Sequence, residues 1–456
     1  GFLHHIHYQP KNEEAEIFVH AMRTKGNESV YSEFEKLMQE NRYQQAAELL
    51  REKKGTSALL RNMDYIISRM DREDEQTFLS EFPEDCSTLI LLQLLFRYEG
   101  VQRKDGRVFK FTQHNLMKVH YETPEESKKC QSRLTEEQVK EVGKMIRSKL
   151  SEKLRNRLGK VYIEPSMKNY TLPLAENTSQ GGLGVLSKGS RISIDEGKKL
   201  RAFTYWEKVN DIDLSVFALT EDGNRREFSW RTMSRHQSGA ITYSGDETSG
   251  YLGGSEYFDI NLPEFKAQYS EYRYLIFCDN VYSGKNFNEC FCKAGYMLRD
   301  WNDSGQVYEP KTVKSAYLVN CESTFAYLFG IDLFTNEFVW LNVAKNSKSR
   351  VAGDTNLSFL TDYFHLTDVM NMYDFFSMMA EKIVEDPMEA DVVVTDHEVK
   401  CTEEAQIIRD FMKYRGGISD ERKKHIFHPD HARISFAFDR CNALYLPEQG
   451  EWETIS

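Results

Sequence analysis

Between Glu28 and Tyr98 the apolar residues recur at helical spacing. Val30, Phe34, Leu37 and Met38 share one face, and Ala46, Ala47, Leu49 and Leu50 resume the stripe after Asn41. Beyond Gly55, which stops that helix, Leu59, Leu60, Met63, Ile66 and Ile67 form the next face, so a run of short antiparallel helices is predicted. Leu89 to Phe96 is a short continuous apolar run that suits a buried helix. The period falls to two between Arg107 and Thr123, where Val108, Lys110 and Thr112 alternate with Phe109 and Phe111, the mark of a small hairpin. Thr135 and Gln138 then form a capping box. The long helix it opens carries Val139, Val142, Ile146, Leu150, Leu154 and Leu158 as its stripe and is expected to end at Gly159.

From Arg191 onward short alternating segments are punctuated by Asp-Gly, Ser-Gly and Gly-Gly, the habit of antiparallel β-sandwiches. Ser179 to Ser190, rich in Gly and Ser, reads as a linker or loop before the sandwich, and the polar stretch Lys345 to Asp354 as the boundary after it. The tail turns α/β: Tyr373 to Ala380 is helical, Asp386-Pro387 has the form of a helix start, Val392 to Val394 is a short buried strand, and a helix over Glu403 to Tyr414 precedes alternation from Ile434. The expected fold class is therefore α+β and multi-domain. It comprises an N-terminal helical region with a hairpin over 1–175, a central antiparallel β-sandwich over 190–345, and a small α/β region over 355–456. A length of 456 residues fits two or three domains.

Composition narrows the function classes. Hydrophobic content of 40% and aromatic content of 12% support packed structure, and 59 basic against 71 acidic residues give a net charge of -12, which argues against a general nucleic-acid binder. No apolar run reaches the roughly 18 residues of a membrane span, so no membrane partner is expected. The segment holding His4, His5 and His7 lacks the regions of a signal peptide, so the expected location is cytoplasmic. The eight cysteines show no regular framework and read as reduced thiols, with Cys290 and Cys292 pointing the same way along a strand.

The most informative chemistry lies in Trp206 to Phe217, Ile241 to Asp246 and Glu256 to Ile260, where acidic loops interleave with alternating β segments, an arrangement that holds hard cations by oxygen. Alternation puts Asp211 and Asp213 on one strand face while Ile212 and Leu214 enter the core. These acids also fit the commoner role of ending strands and binding turn amides. The order of the segments resembles the TerD family of bacterial stress proteins, named for tellurium resistance. Asp211-Ile-Asp-Leu-Ser-Val-Phe, Tyr243-Ser-Gly-Asp and Glu256-Tyr-Phe-Asp-Ile-Asn-Leu carry the likeness, with Ala294-Gly-Tyr-Met-Leu-Arg-Asp and Phe325 to Val343 resembling the last strands. The flanks Arg157 to Pro165 and Tyr373 to Asp391 resemble longer members of the family.

That resemblance implies a calcium-associated β-sandwich in which Asp211, Asp213, Asp246 and Glu256 hold the ion, with Asp259 and Asp279 as neighbours. Two departures from the family pattern weaken the expected calcium site: Gly254-Ser255 stands where the family has an acidic pair, and Arg231 to Ser238, with no acidic residue, replaces an Asn-rich stretch. The function it implies is non-enzymatic, a stress-response module presenting loops to a protein partner, with no small-molecule substrate. Two other readings compete. Lys140, Lys144, Arg147, Lys149, Lys153, Arg155, Arg157 and Lys160 make one helix basic, as in nucleic-acid binding, or as a solvated face. An enzyme site between sandwich and tail is the other, although no nucleophile with a base is identifiable. His425, His428 and His431 invite a zinc reading that Pro429 opposes, and Gly181, Gly182 and Gly184 lack the Lys-Ser/Thr of a phosphate loop.

Overall fold

The computed structural model describes residues 29–102, 108–113, 116–123, 125–126, 134–172, 187–236, 239–284, 286–301, 310–344, 357–386, 389–390, 392–395, 434–437, 443–446 and 451–454. The chain forms two compact units, one built from the residues up to Cys86 together with Lys128–Met145, the other from Ser87–Ser127 and Ile146 onward.

In the first unit the helices Val30–Gln39, Tyr43–Lys54, Thr56–Ile67 and Arg72–Ser80 bury the predicted stripes, including Phe34, Met38, Ala46, Leu50, Met63 and Ile66. Asn41 and Gly55 separate them at φ of 58° and 83°, left-handed values that Asn and Gly adopt at least cost. The capping box forms as read. Thr135 N donates to Gln138 Oε1 at 3.0 Å and Gln138 N donates to Thr135 Oγ1 at 3.2 Å, at the head of the helix Glu136–Leu154.

The second unit contains the helix Thr88–Glu99, the hairpin β1 (Val108–Gln113) and β2 (Leu116–Tyr121), the strand β3 (Leu158–Ile163), and the sandwich. The sandwich strands are β4 (Arg191–Ser193), β5 (Lys199–Glu207), β6 (Asp211–Leu219), β7 (Arg225–Phe228), β8 (Ile241–Tyr243), β9 (Gly254–Ile260), β10 (Tyr274–Ser283), β11 (Phe291–Arg299), β12 (Val313–Leu318), β13 (Phe325–Asp332) and β14 (Glu337–Ala344). They make a six-stranded sheet ordered β4-β14-β13-β10-β6-β7 and a five-stranded sheet ordered β12-β11-β5-β9-β8. Trp206, Leu214, Phe258, Phe277, Ala294 and Trp340 belong to one core shared by both sheets. A second core, with Phe217, Leu219, Tyr274, Ile276, Met117, Leu360 and Phe364, covers the other face of the six-stranded sheet. Strand β6 is therefore buried along its whole length.

Two expectations are corrected. The long helix ends at Leu154, with Asn156 at φ 55°, and Gly159 lies within β3. The reason is non-local: β3 pairs in parallel with β15 (Ala380–Ile383) and β16 (Val392–Thr395), and β16 pairs in parallel with β17 (Ile434–Ala437). A strand from before the sandwich thus completes the sheet after it, so the boundary at 175 does not separate Leu158–Leu172 from the tail. Thr171 bridges Asn371, and Met372 N donates to Tyr170 O at 2.9 Å. The stretch from Arg231 that stands in place of an Asn-rich stretch begins within the short helix Trp230–His236.

Candidate metal centre

Strand β7 pairs with β6 only from Val216 to Leu219, so among the described residues no strand flanks the Asp211–Ser215 half of β6 on that side. Glu256 reaches across from β9 of the other sheet to cover this edge. Its Oε2 accepts from Leu214 N at 2.8 Å, and its Oε1 accepts from Glu247 N at 3.1 Å. A fully buried carboxylate thereby satisfies one amide that a neighbouring strand would otherwise have taken, and fixes the start of the loop after β8.

Ile212 and Leu214 enter the shared core, so Asp211 and Asp213 turn to the other side of β6. The loop after β8 brings Asp246 to them. Carboxylate oxygens of Asp211, Asp213 and Asp246 all lie within 4.8 Å of one another. Asp211 is 7% exposed and Asp213 4% exposed, while Asp246 faces solvent. Asn280 Nδ2 donates to Asp213 Oδ2 at 3.2 Å. Asp211 Oδ1 is buried with no hydrogen-bond partner.

The electrostatics follow from burial and like charge. Burial, then the charges of Asp213, Asp246 and Glu247, pushes Asp211 up to about 6. Burial also raises Asp213, against the Asn280 hydrogen bond, and Asp246 raises it further. Glu256 is pushed up to about 8, burial outweighing the donations it receives from Leu214 and Glu247. The Tyr243 hydroxyl is buried beside it, outside hydrogen-bond geometry, and its phenol is raised by burial and by Glu256. Among the described residues no lysine, arginine or histidine pairs with any of these four carboxylates.

The triad can hold a metal ion. Three carboxylates, supplemented by loop carbonyls and water, match the oxygen donor set of a hard divalent cation. The orphaned Asp211 oxygen is what such an ion would satisfy. Glu256 stands behind the triad as its support, since both of its oxygens are engaged by backbone amides. Asp259 and Asp279 do not join. Asp259 receives two bonds from the buried Arg201, at 2.6 and 2.7 Å. Asp279 is fully buried between the sheets, accepts from Thr204 Oγ1 at 2.8 and 2.9 Å, and is pushed up to about 8 by burial.

The other sequence candidates resolve differently. His425, His428, His431, the glycines at 181, 182 and 184, and the helix expected over Glu403 to Tyr414 lie outside the described residues. In the basic helix Lys144 pairs with Glu141 at 2.7 Å and Lys149 with Glu152 at 3.5 Å, while Arg147 pairs with Glu99 and donates to Val369 O at 2.7 Å. A cavity of about 530 Å³ bounded by Thr220, Glu221, Lys266, Arg273 and Phe334 is lined by sandwich residues alone. Among the described residues no helix is long and apolar enough to cross a membrane. The described cysteines Cys86, Cys278, Cys290, Cys292 and Cys321 carry free thiols.

No protein-family model, no curated protein and no solved structure matches this chain.

Proposed function

We propose that the protein is a non-enzymatic, cation-dependent interaction module of the TerD type, with calcium as the ion and the loop end of the sandwich as its contact face. One observation carries the reading: Asp211, almost fully buried beside Asp213 and Asp246, keeps an oxygen with no partner and no counter-charge. Such a cluster repels itself, so an ion bound there stabilises the fold and orders the loop that carries Asp246. The likeness of Asp211 to Phe217 and of Tyr243 to Asp246 to the stress-protein family supports a place among cytoplasmic bacterial stress-response proteins, where the sequence reading expects a partner to meet these loops.

Thermal melting tests this. Calcium raises the melting temperature of the parent chain, by an amount set by its excess over the dissociation constant, about 2.7 kcal/mol at a hundredfold excess. Asp246→Asn, at an exposed position, abolishes the rise without lowering the metal-free melting temperature. A parent chain indifferent to calcium removes the proposal.

A further inference from the structure

The rim of the acidic site carries side chains that packing does not explain. The turn Gly250–Leu252 is tied down at its base: Gly250 N donates to Asn210 O at 2.7 Å, Lys208 N donates to Tyr251 O at 2.8 Å, and Gly253 N donates to Gly250 O at 3.0 Å. The backbone at Gly250 and at Gly254, the first residue of β9, passes close to the Trp206 indole. A Cβ on Gly250 would stand 2.5 Å from Trp206 Nε1, and one on Gly254 2.4 Å from Trp206 Cε2. With its backbone held inward, the turn projects Tyr251 and Leu252, which are 56% and 93% exposed. Across the strand pair Tyr282, 60% exposed, lies between Val281, opposite Ile212, and Ser283, opposite Asp211. Lys208 is exposed beside Tyr251.

We infer that this loop end docks on an anionic phospholipid surface, the bound cation bridging the aspartates to lipid phosphate while Leu252 enters the acyl boundary. The inference rests on the cation reading above and names the partner of that site. Scattered exposed apolar residues are ordinary; three large ones and a lysine around a cation site form a pattern. Tyrosine, apolar in body and polar at its tip, suits the headgroup layer, and phosphate oxygens supply the hard ligands that a partly satisfied divalent ion lacks. Without the ion, Asp211, Asp213 and Asp246 oppose an anionic surface; with it that opposition is removed, so docking is switched by the cation. One inserted side chain holds a membrane only weakly, and the ion bridge supplies the second anchor that stable attachment needs. A folded protein partner needs a complementary patch of roughly 800 Å², whereas a few side chains projecting from a turn suit a soft surface. That no described helix is long and apolar enough to span a membrane bears on crossing one, not on docking to one.

The full chain is sedimented with vesicles of phosphatidylcholine containing phosphatidylserine, or of phosphatidylcholine alone, while calorimetry follows calcium uptake separately. The parent sediments with the phosphatidylserine vesicles in calcium and is released by chelator. Leu252→Ala weakens vesicle binding about tenfold and leaves calcium uptake unchanged. Calcium uptake without vesicle binding, or with self-association in place of it, overturns the lipid inference and leaves the cation reading standing. Absence of calcium uptake overturns both. Vesicle binding that persists in chelator, or is unaffected by Leu252→Ala, overturns the docking mode.

Discussion

Asp332 and Asp211 sit at opposite ends of the same strand system, Asp332 opposite Tyr274 at one end of β10 and Asp211 opposite Ser283 at the other. The two ends are roughly 30 Å apart at about 3.3 Å per residue. Both carboxylates are buried, but their surroundings differ. Asp332 receives Arg273 through Nη2 at 3.2 Å and Nε at 3.4 Å, and the Phe334 amide at 2.9 Å, while Arg273 Nη1 also reaches Glu221 at 2.6 Å. Asp211 has two further aspartates close by and a bare oxygen. One end carries its counter-charge in the chain, and the other has the charge and burial of a site whose counter-charge comes from solution. Burial alone does not distinguish a structural carboxylate from a ligating one; the company it keeps does.

That contrast breaks most visibly at the self-sufficient end. Arg273→Ala strands Asp332 and costs about 3 kcal/mol in urea unfolding, with calcium uptake unchanged. At the acidic end Gly254→Ala drives a methyl group into Trp206 and costs roughly 2 kcal/mol, with calcium uptake weakened because the turn beside Asn210 and Asp211 is displaced. Asp213→Asn has the opposite sign. It keeps an acceptor for Asn280, removes a like charge, and raises metal-free stability by about 1 kcal/mol, while calcium no longer stabilises the variant.

The pH dependence sharpens the same point. In the unfolded chain Asp211 loses its proton near its ordinary 3.8, whereas in the fold it holds the proton up to about 6. The folded state therefore binds more protons between those values, and metal-free stability falls as pH rises through that window. Glu256, which leaves its ordinary 4.5 for about 8, extends the fall to that pH. Melting temperature is expected to fall across the range, and saturating calcium flattens the fall by favouring the ionised forms. The smallest effect is Leu252→Ala, which leaves stability within about 0.5 kcal/mol because the side chain touches little.

Local chemistry was legible in the chain and long-range pairing was not. The stripe through Phe34 and Met38, the Thr135–Gln138 box and the Val108 alternation each involve neighbours within a few residues, and each forms where its spacing put it. Leu158 fitted the helical stripe equally well, and only partners more than two hundred residues downstream, at Ala380 and Val392–Val394, make it strand. The gathering of Asp211 and Asp213 followed from alternation along one strand. Glu256 was legible as an acid near the site but not as the cap of Leu214 N, because that role depends on where β7 stops. Asp279 shows a weak signal, one acid directly after the apolar run Tyr274 to Cys278, but its bond to Thr204 in the other sheet is a packing outcome. The glycines at 250 and 254 gave no sequence cue to the indole beneath them.

The central claim is that Asp211, Asp213 and Asp246 take a cation from solution. Titrating calcium into the chain at pH 7.5 by calorimetry, beside Asp213→Ala and Asp246→Ala, tests it most directly. The account predicts saturable uptake by the parent and none by either variant; no uptake by the parent, or equal uptake by all three, contradicts it.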